Sequence, residues 1–254
     1  MRETTAAMNA EFTKLRSVRG TVLALTLFAL ISIGVAALDG WSAGHAIAAH
    51  SPMLRNGFTP EQAGFDGILY GQVAIIVFGV LVVTSEYGSG MIRLSLLAVP
   101  RRGRFFLSKM AVAALVIAVV AVPVTVVTYL VTQVALGRYG ASISASGVPR
   151  ALVGSVGYVV LMCLFAAALA AMTRNAIAPL AVLIPLVLAG SHLLTIIGPI
   201  KAVARYLPDQ AGGQMLAVHV SGGSLSPAAG FAVLLAWVAV ALAAGYVLQR
   251  LRDA

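Results

Sequence analysis

The apolar residues of this chain fall into six long blocks separated by short polar stretches. None of the blocks contains Asp, Glu, Lys or Arg. A helix needs about 20 apolar residues to cross the roughly 30 Å hydrocarbon core of a bilayer, and a charge at its centre opposes insertion. The pattern therefore predicts six membrane spans, at residues 20–38, 67–84, 110–132, 151–172, 176–198 and 228–248.

The composition supports this interpretation and limits the chain to one domain. Of 254 residues, 60% are hydrophobic and 10% are charged, and the mean hydropathy is +0.98. Such a chain has too few polar residues to cover a water-soluble domain. We predict a single all-α membrane domain over residues 1–254, a bundle of six transmembrane helices. Cys163 is the single cysteine and lies in an apolar block, which excludes an intrachain disulfide.

The formal charge of +9 indicates orientation and not a nucleic-acid partner. With the amino terminus in the cytoplasm, twelve Lys and Arg residues lie on the inner side and five on the outer side, whereas the acids divide four and four. Cytoplasmic loops carry an excess of basic residues, which also favour the anionic inner leaflet. We therefore predict a multi-pass protein of the cell (plasma) membrane with both termini in the cytoplasm.

A short interfacial helix is predicted at residues 8–19, before the first span. Met8, Phe12 and Leu15 recur there at helical spacing while charged residues occupy the other positions. The alternative is a plain basic flank of the first span. The residues assigned to the interface are Phe12, Lys14, Leu15, Arg16 and Arg19.

The segment between the second and third spans, residues 86–104, predicts a second short helix. Tyr87, Met91 and Leu94 share one helical face, and Pro100 can end the helix. A half-apolar helix needs a surface to pack on, which lipid could supply beside a basic end. A protein partner is the more specific hypothesis, because the lone acid Glu86 has no favourable electrostatic interaction with a negatively charged leaflet.

Two motifs resemble a known family. EFTKLRSVRGT before the first span and EYGSGMIRLSLLAVPRR after the second are similar to permease subunits of bacterial type-2 ATP-binding cassette (ABC) exporters in their small six-span form. The resemblance implies that residues 86–104 form the coupling helix, which contacts separate ABC ATPase subunits. It also implies a second permease copy or a sister permease, with ATP and Mg bound only by the ATPase. The implied ATPase-contact residues are Glu86, Tyr87, Gly88, Gly90, Ile92, Arg93, Pro100, Arg101 and Arg102.

The sequence lacks the motifs of a phosphate cradle and of a zinc protease site. It contains no GxxxxGK[ST] and no HExxH, so energy must come from another chain. We expect no enzyme activity and no cofactor in this chain. His45 and His50 are predicted to lie in a solvated first outer loop.

Two polar residues inside the spans are possible transport-path residues, Gln72 and His192. Both also fit ordinary packing between helices, which intramembrane hydrogen bonds support. An ion-driven secondary transporter is the alternative function, and it would need a buried acid or a broken helix near the midplane. A non-transporting accessory or sensor protein is the third. The apolar and mildly polar residues of the spans are compatible with amphipathic drugs, peptides, lipids and lipid-linked glycans as cargo, and they do not distinguish among these.

Overall fold

The computed structural model describes residues 19–50, 57–88, 102–196, 200–220 and 224–251. Every regular element in these ranges is helical, which confirms the all-α prediction for this part of the chain. In chain order the helices are α1 (Arg19–Ala48), α2 (Pro60–Ala63), α3 (Asp66–Gly88), α4 (Arg102–Leu136), α5 (Val148–Thr173), α6 (Ile177–Pro185), α7 (Ser191–Ile196), α8 (Lys201–Ala204), α9 (Pro208–Gly213) and α10 (Pro227–Leu251). Short 3₁₀ turns cover Gly137–Tyr139 and Gln214–Leu216, and Leu186–Gly190 is a π-helix.

Five helical segments in the described ranges are long and apolar enough to cross a membrane. They are α1, the α2–α3 pair, α4, α5 and α10. In the fifth predicted span, residues 176–198, α6, the π-helix and α7 follow one another without a non-helical residue between them. Its apolar part, Ile177–Gly190, is shorter than the five segments above, and the π-helix directly follows Pro185, which has no amide hydrogen to give to the preceding turn. The count of six spans therefore stays a prediction.

Helix α5 lies at the centre of the bundle. It packs against α3, α4, α6, α9 and α10, whereas α1 packs against α3 and α4. In the α2–α3 segment, 67% of the residues in its most hydrophobic stretch are buried inside the bundle, whereas in α10 only 22% are. Helix α10 is therefore the more peripheral of the two. Helices α3 and α5 approach closely at Gly79, where a Cβ would lie 2.5 Å from the Cys163 carbonyl oxygen.

The first helix extends well beyond its predicted end at residue 38. Gly40 lies against the backbone of Thr132 in α4, where an added Cβ would stand 2.7 Å from the carbonyl oxygen. This contact continues the packing of α1 on α4 past the apolar block. As a result His45 lies in the last turn of α1 and not in an outer loop, and its Nδ1 is 2.8 Å from the Trp41 carbonyl oxygen.

Consecutive long helices run antiparallel, which gives the bundle two ends. Gly20, at the start of α1, lies beside Leu81 near the end of α3. We call the end at which α3 stops and α4 begins the coupling end. We call the opposite end, at which α3 and α5 begin, the far end.

Candidate functional site

The predicted coupling segment lies mostly outside the described residues. Glu86, Tyr87 and Gly88 form the last turn of α3, and Arg102 is the first residue of α4. Of the remaining predicted contact residues, those outside the described ranges are Gly90, Ile92, Arg93, Pro100 and Arg101. The structure therefore fixes the two ends of the segment, while its helical conformation and its contacts stay predictions.

The predicted interfacial helix also falls outside the description, except for its last residue. Arg19 is exposed and begins α1. The residues not described are Phe12, Lys14, Leu15 and Arg16.

The start of α4 is held against α10. At Gly103 an added Cβ would lie 2.7 Å from the Tyr246 ring, so this close approach requires glycine. The rings of Phe106 and Tyr246 are 6.4 Å apart, and the Arg250 guanidinium lies 5.7 Å from the Tyr246 ring. Contacts of a cation with an aromatic face and of two tilted rings each stabilise such packing. One end of the coupling segment is thus anchored on α10.

Lys109 links the two helices that flank the coupling segment. Its side chain is 5% exposed, and Nζ donates to the Val82 carbonyl oxygen of α3 at 3.4 Å. The ammonium also lies 5.1 Å from the centroid of the Phe105 ring. From the sequence, Lys109 is only one of the basic residues that set the orientation of the chain in the membrane. Its position one turn beyond the basic cluster, at the edge of an apolar block, is the signal that indicates a buried stem.

At the far end, Gln72 joins α3 to α5. Gln72 is 5% exposed and Tyr158 is fully buried. The Tyr158 hydroxyl donates to Gln72 Oε1, and Gln72 Nε2 donates to the Leu69 carbonyl oxygen at 2.6 Å. These bonds make Gln72 an interhelical contact, one of the two roles expected for it. His192 belongs to α7, and its role stays a prediction.

A second polar group at the far end was missed by sequence analysis. Ser191 Oγ, at the start of α7, donates to Asp209 Oδ2 in α9. Gln210 Nε2 donates to Ser191 Oγ at 3.0 Å and to the same Asp209 oxygen at 3.2 Å. Asp209 is only 6% exposed. In the described part of the chain its other oxygen, Oδ1, has no hydrogen-bond partner.

The two polar groups lie next to each other. Gly212, one turn beyond Asp209 in α9, faces the Tyr158 ring, where an added Cβ would stand 2.6 Å away. We therefore treat Gln72, Tyr158, Ser191, Asp209 and Gln210 as one unit, the far-end polar cluster.

The segment that carries Asp209 is fastened to the bundle on both sides. Arg150 donates to the carbonyl oxygens of Ala217 and Val218 at 2.8 and 2.9 Å, and the Val218 amide donates to Gln62 Oε1 at 2.8 Å. Trp237 Nε1 donates to the Tyr206 carbonyl oxygen at 2.9 Å. These bonds fix α9 and the following turn against α5 and α10.

A family comparison identifies the bundle. The family described as ABC-2 family transporter protein matches residues 7–190. The chain belongs to the ABC-2 transporter family. This confirms the resemblance stated from the two motifs, and it makes the protein a multi-pass membrane permease of the ABC transporter class. No curated protein matches the chain.

The match divides the ABC-2 permease into two parts. It includes all of residues 86–104 together with the flanking helices α3 and α4. It ends at residue 190, the last residue of the π-helix, so Ser191, Asp209 and Gln210 lie beyond it. Three members of the far-end polar cluster thus belong to the unmatched part of the chain.

Proposed function

We propose that this ABC-2 permease is the transmembrane subunit of an ATP-driven exporter. Two such bundles, identical or paired with a sister permease, stand on two separate ATPase subunits that bind ATP and Mg. The observation that carries the proposal is the family match across the whole coupling segment. Since the sequence has no GxxxxGK[ST] phosphate cradle, the energy comes from a partner chain.

The contacts at the coupling end support a mechanical role for residues 86–104. Lys109 ties α4 to α3, and Gly103 seats α4 on Tyr246 of α10. Helix α5 packs against all three of these helices. When ATP closes the ATPase subunits, a displacement of the two coupling helices moves α3, α4 and α10 together, and the paired bundles shift toward an outward-open state.

A charge exchange in the coupling segment tests the proposal. The double variant Glu86→Arg with Arg93→Glu is expected to abolish copurification with the cognate ATPase and to remove stimulated ATP hydrolysis. A matched control at the far end, Glu61→Arg with Arg138→Glu, exchanges the same charges and is expected to retain both. Unchanged association and turnover in the first variant would refute the coupling assignment.

The orientation of the bundle belongs to the same proposal. Arg101→Cys is expected to resist an impermeant thiol reagent in intact cells, whereas Ser144→Cys, an exposed site at the far end, is labelled. Cys163 is fully buried, so the native thiol adds little background. Labelling of position 101 from outside would place the coupling segment beyond the reach of a cytoplasmic ATPase.

Two observations favour an ion-driven secondary transporter as the second candidate. Asp209 is a buried acid bonded to Ser191 of the predicted fifth span, and that span contains the π-helix Leu186–Gly190. An ion-driven carrier would need a buried acid or an irregular helix of this kind. Transport in proteoliposomes separates the candidates: an ATP-driven exporter stops when ATP is withheld, whereas an ion-driven carrier continues and stops when the ion gradient is collapsed.

A further inference from the structure

The Asp209 carboxylate is incompletely satisfied in the described structure. Its hydrogen bonds, from Ser191 and Gln210, both end on Oδ2, and Oδ1 has no partner in the described residues although the residue is almost fully buried, at 6% exposed. An ionised carboxylate can accept about four hydrogen bonds, and a buried polar group without partners is unfavourable. The free oxygen is therefore a position at which a donor or a cation would bind favourably.

The Asp209 carboxylate is bonded to side chains. It lies in the first turn of α9, a helix of six residues whose N-cap residue is Leu207. Its hydrogen-bond donors are Gln210 of the same helix and Ser191 of another helix.

The nearby basic residues of the same segment point elsewhere. Lys201 and Arg205 are exposed, and the Arg205 guanidinium lies 5.0 Å from the Tyr206 ring. Neither is bonded to the Asp209 carboxylate, whose hydrogen-bond partners in the described ranges are neutral. The negative charge is thus left without a resident counter-ion in this part of the chain.

The surroundings of the carboxylate are neutral, polar and aromatic. Tyr158 presents its ring to α9 at Gly212, and the amides of Gln72 and Gln210 lie in the same cluster. Amide and hydroxyl oxygens accept hydrogen bonds from an ammonium group. A carboxylate or phosphate group would instead be repelled by Asp209.

The cluster adjoins an irregular point of the backbone. Ser191, the donor to Asp209, immediately follows the π-helix Leu186–Gly190, which itself follows Pro185. π-helical turns occur frequently at functional sites, and prolines leave a backbone carbonyl without its donor. A change in this turn would withdraw Ser191 and open the carboxylate to a ligand.

We propose that the far-end polar cluster binds a cationic group of the transported molecule, an ammonium that pairs with Asp209. This inference rests on the proposed function, because it describes cargo. Asp209 supplies the counter-charge, while Ser191 and Gln210 position the carboxylate. The cargo class that follows is an amphipathic amine.

The test uses the permease purified with its cognate ATPase in nanodiscs of zwitterionic lipid. The probes are dodecylammonium and dodecanol, which share one alkyl chain and differ in charge. In the wild-type complex, dodecylammonium is expected to give half-maximal stimulation of ATP hydrolysis at a concentration about tenfold lower than dodecanol, as a charge-assisted hydrogen bond provides.

Three variants assign that preference to the carboxylate. Asp209→Asn, which keeps the shape of the side chain, is expected to bring the two probes within about twofold, and Asp209→Glu to retain part of the preference. Glu61→Gln, which neutralises another acid at the far end, is expected to leave the preference unchanged. Gel filtration and thermal unfolding of each complex establish that the variants fold and assemble.

The outcomes separate this inference from the proposed function. If the ATPase does not copurify with the wild-type permease, the proposed function fails. If the complex hydrolyses ATP but shows no preference for the ammonium, or if Asp209→Asn keeps the preference, the cargo inference alone is overturned. A third outcome is that both probes act equally on the wild type and that ATP hydrolysis depends on pH in the wild type but not in Asp209→Asn. Asp209 would then bind a proton and not an ammonium, and the cargo inference would also be overturned.

Discussion

The two ends of the bundle differ in how their functional residues are placed along the chain. At the coupling end, the predicted contact residues form one continuous segment, 86–104, inside the family match. At the far end, the polar cluster brings together residues 72, 158, 191, 209 and 210 from four helices, and three of these lie outside the match. The family match therefore contains the predicted coupling segment but leaves out most of the far-end polar cluster.

This contrast has a physical basis. A helix that binds a partner subunit is one short segment of sequence, so its contact residues can be recognised together as a motif. A binding group inside a membrane bundle has to be assembled from distant helices, since each helix turns only part of its surface inward. The predictions below test whether the two ends are as separable as the structure indicates.

The largest effect is expected from Gly230→Ala. A Cβ at this position of α10 would overlap the Ala211 carbonyl oxygen of α9 and push the Asp209 segment from the bundle. We expect a loss of about 2 kcal/mol in unfolding free energy, because overpacking a tight contact costs about 1–3 kcal/mol. Thermal unfolding of the purified permease measures the loss.

Gly34→Ala is the matched control for this change. An added Cβ at Gly34 meets no atom within 4 Å, so the substitution tests only helix propensity, which favours alanine by about 1 kcal/mol. Equal melting temperatures for the two variants would contradict the close packing of α9 on α10.

At the coupling end, Lys109→Met is expected to weaken the link between α3 and α4. Methionine keeps most of the apolar stem but loses the donor to Val82 and the cation over Phe105. We expect stimulated ATP hydrolysis by the assembled complex to fall about fivefold, which corresponds to about 1 kcal/mol. Lys201→Met, at an exposed lysine, is the control. Full stimulation in Lys109→Met would separate this lysine from the coupling movement.

A smaller effect is expected at the contact between Gln72 and Tyr158. Tyr158→Phe removes the hydroxyl that donates to Gln72 Oε1, and intramembrane hydrogen bonds contribute on average about 0.6 kcal/mol. A double-mutant cycle with Gln72→Leu is expected to give a coupling energy of that size in thermal unfolding. If the cycle gives zero, the bond is not part of the stability of the far end.

The membrane helices were predictable because their signal is composition. Lipid requires long uncharged segments, and α3, α4, α5 and α10 each extend through the corresponding predicted block. The end of α1 was not predictable in this way. Asp39 ends the uncharged block, but the packing of Gly40 on α4 continues the helix to Ala48.

The far-end polar cluster was not predictable because no local pattern connects its members. Asp209 counted as one of four outer acids, and its burial depends on how α9 folds back onto α5 and α10. One signal was available: Pro208 followed by Asp209 is a typical start of a helix. That signal predicts α9, but it cannot place the carboxylate beside Ser191, which is 18 positions away.

The last variant, Pro185→Ala, tests whether the π-helix depends on its proline. Pro123 lies inside α4 without interrupting that helix, so a proline alone does not produce a π-helix in this bundle. An alanine at 185 restores an amide donor, and we expect less than about 1 kcal/mol of change with slower hydrogen exchange at Leu186–Gly190. Pro123→Ala is the control, with unchanged exchange at that segment. Unaltered exchange in Pro185→Ala would show that the proline does not maintain the π-helix. The hydrogen bond from Ser191 to Asp209 would then be the interaction to which we assign the irregular turn.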